Sequence, residues 1–201
     1  MRIEGLNPSA RSLDRFYAPR KDRRETYEQV VEAIVAEAVG GKRVCVAFYG
    51  HPGVFAYPGH EAIRRVRAAG LAARMLPALS SLDCLYADLG IDPGQTGLQC
   101  YEATDFVQRR PPVDPRAALV LLQVGMLGEP GGAGTARVRA RFVELLAHLR
   151  ELYGGKRDVV LYEASSYPGS PPRIDVIAAG EAPPPVPGVM ATLLVRPLSA
   201  G

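Results

Sequence analysis

The apolar positions of this chain change period along its length, and the changes mark out its elements. Between 22 and 39, Tyr27, Val30, Val31, Ile34, Val35 and Ala38 recur at helical steps. That spacing predicts a helix with one apolar stripe, ended by Gly40 and Gly41. Residues 43–49 (RVCVAFY) form an apolar run rich in β-formers, which predicts a buried strand. It leads into Gly50-His51-Pro52-Gly53. A helix is expected over about 59–69, a short strand over 73–76, and a second helix from Ser80 or Ser81 to Leu89. Asp83 stands three residues after Ser80, as a capping box requires. A strand follows at 98–101.

Beyond Pro111, Pro112 and Pro115 the pattern restarts. Residues 117–124 predict a buried strand. Residues 136–153 predict an amphipathic helix whose apolar face carries Val138, Phe142, Leu145, Leu146 and Leu149. Further strands are expected at 159–162, 173–177 and 191–195. Strands alternating with helices predict an α/β fold. The expected organisation is an N-terminal α/β domain with a mainly parallel sheet over 1–110, and a C-terminal α+β domain with a mixed sheet over 116–201. The glycine-rich stretch 128–134 lacks the spacing of a phosphate loop.

Composition narrows the function only slightly. The 201 residues carry a net charge of +3 and are 47% hydrophobic and 22% charged. That balance suits a folded domain and is too mild to argue for nucleic acid. No apolar run reaches the roughly 20 residues of a membrane helix, and the N-terminus lacks the apolar core of a secretory signal. The simplest expectation is a cytoplasmic protein. Cys45, Cys84 and Cys100 show no metal-ligand spacing; Cys45 and Cys84 read as small core residues. Of His51, His60 and His148, only the first two can be neighbours, so no metal site is expected.

Candidate chemistry gathers where strands end, the usual ligand-binding edge of an open α/β sheet. Residues 49–55 place glycines and a stiffening proline after the first strand; they read either as a ligand loop or as a tight turn. Arg23 and Tyr27 lie four apart on one helix face, the apolar stripe itself. A cation beside a phenol favours the phenolate; the plainer reading is a snorkelling arginine with a core tyrosine. Ser80 and Ser81 offer hydroxyls and amides at a helix start, or simply cap it. Gln123-Val124-Gly125 closes an apolar strand with an amide that needs partners if buried. Tyr162 to Tyr167 follow another strand.

The segments FYGHPGVF (48–55), HEAIRRVRAAG (60–70), MLPALSSLDCLYADLGIDP (75–93), YEATDF (101–106) and LLQVG (121–125) closely resemble the tetrapyrrole-methylase superfamily. They resemble above all its borosin branch of peptide backbone α-N-methyltransferases. The likeness covers about residues 15–201, with several separated motifs in order. It implies a dimeric, S-adenosylmethionine-dependent enzyme with two α/β domains and the cofactor in the cleft between them. It implies cofactor contacts at Tyr49, His51, Pro52, Val54 and Phe55, at Ser80 and Ser81, at Gln123, Val124 and Gly125, and at Tyr162 and Ala164. It matches Arg23 and Tyr27 to the family's catalytic Arg-x-x-x-Tyr pair and Tyr17 to an upstream active-site tyrosine. Tyr49 joins Tyr17 in orienting the substrate.

The chemistry fits these residue types. An amide nitrogen is a poor nucleophile because its lone pair is delocalised into the carbonyl. Tyr27 is expected to act as base, and Arg23 to hold developing negative charge. Three departures stand out. The βα unit that normally opens the family is absent, which would leave a sheet edge exposed. Ala78 and Ser81 stand where Gly and Ala are usual. The chain stops soon after Arg196-Pro197, whereas fused relatives continue into their own substrate peptide. The expected substrate is therefore a separate precursor peptide. The alternatives are methylation of a tetrapyrrole or other small molecule, and a shortened non-catalytic partner.

Overall fold

Tertiary contacts divide the chain into two compact units, residues 1–78 and 79–201. The computed structural model describes residues 5, 7–18, 21–128, 135–154, 157–167, 169–177 and 188–198. The glycine-rich stretch after Gly128 therefore falls outside the described residues.

The first unit is a pair of packed helices. α1 (Arg23–Val39) starts where Asp22 accepts from the backbone N–H of Arg24, leaves Thr26, Val30, Val31 and Ile34 buried, and ends at Gly40. α2 (Tyr57–Ala68) has a proline in its first turn and buries Ala62 and Val66. Proline is tolerated there because the first helical N–H groups have no intrahelical partner. Val30, Val31, Ile34 and Ala62 form the small core, with Leu13, Phe16, Val35 and Val46 against it. Burying four such side chains is worth about 1.5–3 kcal/mol for each large one.

The two strands expected in this unit do not form. Residues 42–48 and 71–79 belong to no strand. The reason is hydrogen bonding rather than propensity. A strand needs a paired neighbour, and none of the described residues of this unit supplies one. Val46 and Phe48 are half-buried while Val44 and Cys45 stay exposed, so only one side of the segment finds cover. Cys45 is consequently exposed rather than in the core, and Cys84 is only partly buried.

The second unit holds α3 (Ser81–Leu89), α4 (Pro93–Thr96), β1 (Leu98–Glu102), α5 (Ala103–Arg109), β2 (Ala118–Leu122), α6 (Thr135–Tyr153), β3 (Val159–Glu163), β4 (Arg173–Ile177) and β5 (Thr192–Val195). The sheet order is β1-β2-β5-β3-β4. β1 and β2 are parallel, and the other three pairings are antiparallel. The sheet is thus mixed, and the parallel part expected of the N-terminal half is represented by β1 alone.

β2 is buried at every position because both its faces are covered. Leu119 and Leu121 pack with α5 and α6 through Phe106, Phe142, Leu145 and Leu149. Ala118, Val120 and Leu122 pack towards Leu82 and Leu89 of α3. This explains the continuous apolar run. The prolines at 111–115 connect β1 to its neighbour β2 within this unit. The division by contacts lies earlier, after Ala78.

Candidate active site

In the first unit, two of the expected catalytic residues, Tyr17 and Arg23, meet at the start of α1, which also carries Tyr27. The Arg23 guanidinium carbon lies 5.3 Å from the centre of the Tyr17 ring, a cation–π distance. Burial pushes the Tyr17 hydroxyl up from its ordinary value, with the neighbouring Tyr27 adding to the rise and Arg23 opposing it. Tyr17 is therefore a neutral donor at ordinary pH, suited to orienting a group rather than deprotonating it. Tyr27 stacks on Tyr57, with centroids 6.3 Å apart and planes at 30°.

Arg23 and Tyr27 are half-buried rather than aimed into the apolar stripe. The core position of that turn belongs to Thr26, whose hydroxyl donates to the Asp22 carbonyl at 3.1 Å. Helical periodicity marked Tyr27 as apolar, but the stripe begins one turn later.

The loop after residue 48 is built from both histidines. The Gly53 N–H donates to His51 Nδ1 at 3.0 Å, so that nitrogen carries no proton. His60 Nε2 lies 2.9 Å from the Gly53 carbonyl. A carbonyl only accepts, so this nitrogen bears the hydrogen. A Cβ on Gly53 would stand 2.6 Å from Met75 Sδ, and one on Gly59 only 2.4 Å from the Pro52 carbonyl oxygen. Both glycines are there for close approach. Phe55 adopts φ 52°, a left-handed backbone unusual for a bulky residue. Tyr49 and Phe55 leave much of their rings exposed, an open aromatic surface beside a fixed loop.

In the second unit, Ser80 caps α3 in a reciprocal box. Its backbone N–H and hydroxyl both donate to Asp83 Oδ2, at 2.6 and 2.8 Å, and its Oγ accepts from Leu82 and Asp83. The Ser80 hydroxyl is thus committed to the cap, which leaves half-buried Ser81 as the more available group. Gln123 follows β2 at φ 60° and is exposed, so its amide needs no buried partner. The left-handed residue turns the chain out of the sheet, so the amide faces outward. Val124 is buried in the core and Gly125 is buried too. The Val124 N–H donates to the Ala191 carbonyl at 3.1 Å.

Tyr162 is fully buried on β3, and its hydroxyl donates to Asp88 Oδ2 at 2.6 Å. Ala164 lies just past the strand end, half-buried. Through β5, β2 and β3 run parallel to one another, so Gln123 and Ala164 follow strands that end on the same edge.

Sequence reasoning missed Tyr57, Glu28, His60 and Asp88. Tyr57, Glu61 and Arg65 are spaced four apart on one face of α2, the signal that could have revealed the first of these. Among the described residues no group of three or more His, Cys, Asp and Glu gathers as a metal would need, and no helix is long and apolar enough to cross a membrane.

Residues 2–171 match the family model of tetrapyrrole (corrin/porphyrin) methylases. The chain is 39% identical over 175 residues to the methyltransferase/ribosomally synthesised cyclic peptide dendrothelin A precursor of Dendrothele bispora, covering 87% of this chain and 42% of that protein. It is 41% identical over 169 residues to the corresponding omphalotin A precursor of Omphalotus olearius, covering 84% and 40%. It is 40% identical over 181 residues to a type I borosin cyclic peptide precursor of Coprinopsis marcescibilis, covering 89% and 46%. The chain thus spans less than half the length of these relatives. Among solved structures it resembles the methyltransferase CobJ, with TM-score 0.59 and 20% identity, covering 85% of this chain and 71% of that one. It also resembles uroporphyrin-III C-methyltransferase of Thermus thermophilus, with TM-score 0.59 and 21% identity, covering 84% and 70%. These two likenesses concern the fold.

Proposed function

The chain belongs to the tetrapyrrole methylase family, and from that membership we propose that it transfers a methyl group from S-adenosylmethionine to backbone amide nitrogens of a separate precursor peptide. The relatives at about 40% identity are named as methyltransferases joined to ribosomally synthesised peptide precursors, which supports a peptide substrate. The observation that carries the reading is the Arg23 guanidinium over the Tyr17 ring at the start of α1, the helix that carries Tyr27 four residues further on.

The residues present suit the cofactor. Exposed Tyr49 and Phe55 offer flat apolar surface, and close-packed Gly53 and Gly59 hold the backbone of the loop for a ligand to approach. Ser81 and Gln123 offer polar groups. His51, Pro52, Val54 and Phe55 would hold it in the first unit. Ser80, Ser81, Gln123, Val124, Gly125, Tyr162 and Ala164 would do so in the second, with buried Val124 and Tyr162 offering only their backbone. When bound, S-adenosylmethionine supplies an electrophilic methyl.

The protein's part is to make the amide nitrogen available. Tyr27, as phenolate, takes the amide proton at its phenolic oxygen and becomes the neutral phenol. Arg23 stabilises the negative charge on phenolate and imidate. Tyr17, a neutral donor, and Tyr49 orient the peptide for in-line attack. The protein works as a homodimer in the cytoplasm on this reading.

Calorimetry with S-adenosylmethionine tests the first step, with saturable binding expected. Mass spectrometry after adding candidate peptides tests the second. Mass increments of one CH₂ on backbone nitrogens support the reading. Methyl transfer to a tetrapyrrole instead would assign a small-molecule substrate, and a folded protein that binds no cofactor would be a non-catalytic partner.

A further inference from the structure

We propose that Tyr57 is a positioning residue for Tyr27, and that Glu28 and Arg65 hold it in that role. The inference rests on the proposed function, because it concerns the residue assigned there as base. Tyr57 opens α2, directly after the loop that ends at Phe55. Its ring stacks on Tyr27, within the 4.5–7 Å range in which aromatic pairs attract. Its hydroxyl donates to Glu28 Oε1 at 2.6 Å. Arg65 takes the other oxygen of the same carboxylate at 2.5 Å and also donates to Glu61 at 2.6 Å. Arg64 grips Glu61 with two further bonds.

Glu28 is the residue after Tyr27 on α1. The chain of polar contacts therefore seizes α1 one residue from the phenol, while the stack fixes the ring itself. General packing does not require this. Val30, Val31, Ile34 and Ala62 already join the two helices one turn further on. A partly exposed ion pair adds little stability, but a phenol, a carboxylate and a guanidinium in series restrict direction. Both oxygens of Glu28 are thereby turned to α2. Tyr57 is still nearly half exposed, at 46%, so one side of the pair stays open to solvent. A base that abstracts a proton from a weakly acidic amide needs this restraint, because small misplacements cost large factors in rate.

The test measures the side-chain rotamer populations of Tyr27 by NMR couplings, beside the melting temperature. The wild-type protein and Glu28→Gln, which keeps an acceptor for the Tyr57 hydroxyl, are expected to show one dominant rotamer. Tyr57→Leu, which removes the stack, and Glu28→Ala, which removes the pin, are expected to show averaging with the fold retained. On whichever peptide acquires CH₂ increments, the same two variants should lose about ten- to hundredfold in kcat, with KM and cofactor affinity unchanged. An unaltered Tyr27 rotamer in both folded variants overturns the proposal. Should Tyr57→Leu fail to fold, Glu28→Ala, which removes a partly exposed carboxylate and leaves the apolar core between the helices intact, decides alone. Absence of cofactor binding in the wild type would refute the proposed function, and the rotamer measurement would still report on Tyr57.

Discussion

Tyr162, wholly buried on β3, donates its hydroxyl to Asp88 on α3 across 74 residues of sequence. The bond ties the C-terminal part of α3 to the central sheet. The opposite end of the same helix carries Ser80 and Ser81, proposed to touch the cofactor. Tyr162 thus links the sheet to a binding element through a helix about 13 Å long.

Tyr162→Phe should cost about 1 kcal/mol, the usual worth of a hydrogen bond, because Asp88 is exposed and can turn to water. Thermal melts check this, and an unchanged melting temperature would mean that the bond does not form in solution. Burial, then the Asp88 bond and charge, push the Tyr162 hydroxyl up. A folded-state value above the unfolded one of about 10 gives stability that is complete below pH 10 and lost as the pH rises beyond it. Tyr162→Phe should remove that alkaline dependence.

The Ser80 box predicts a second cost. Ser80→Ala removes the acceptor for two N–H groups and should destabilise by about 1 kcal/mol. Cofactor affinity should fall less for Ser80→Ala than for Ser81→Val, since the Ser80 hydroxyl is committed to Asp83. Melts and calorimetry with S-adenosylmethionine on the two variants separate capping from binding.

Gly59→Ala should displace the Gly50–Phe55 loop, because the new Cβ would stand 2.4 Å from a backbone oxygen that cannot rotate away. The expected result is a weaker cofactor affinity out of proportion to the loss in melting temperature. Gly53→Ala meets the end of a methionine instead and should be milder.

Bonds from Arg64 and then Arg65 hold the Glu61 carboxyl down to about 2. A depressed carboxylate contributes above its unfolded value and is lost only as the pH falls through the folded one. A carbon-detected titration should therefore find Glu61 still ionised at pH 3. Titration in the ordinary range near 4.3 would show that the network joining α2 to Glu28 is open in solution.

How far the chain could be read depended on whether each signal was local. The Ser80 box and the α6 face from Val138 to Leu149 are signals local to one element, and the structure shows them where the sequence placed them. RVCVAFY failed because a strand depends on a neighbour that local sequence does not name. The alternating mixed sheet was harder still, since β5 inserts between β2 and β3 from far along the chain. At the site, the four-residue spacing of Arg23 and Tyr27 put them on one helix face, but on the buried stripe, whereas both are half-buried beside it. Tyr57 was not legible, because its link to Glu28 spans 29 residues and joins two helices. The exposure of Gln123 was not legible either, because an apolar strand precedes it and the left-handed backbone that accompanies its exposure leaves no local signal.

The role of Tyr27 in amide methylation is tested by fragmenting, in a mass spectrometer, a candidate peptide incubated with S-adenosylmethionine and either the wild-type protein or Tyr27→Phe. Methyl groups are expected on backbone nitrogens with the wild type and none with the variant, with both proteins binding the cofactor by calorimetry. Equal methylation by Tyr27→Phe, or methyl groups found only on side chains, would contradict that role.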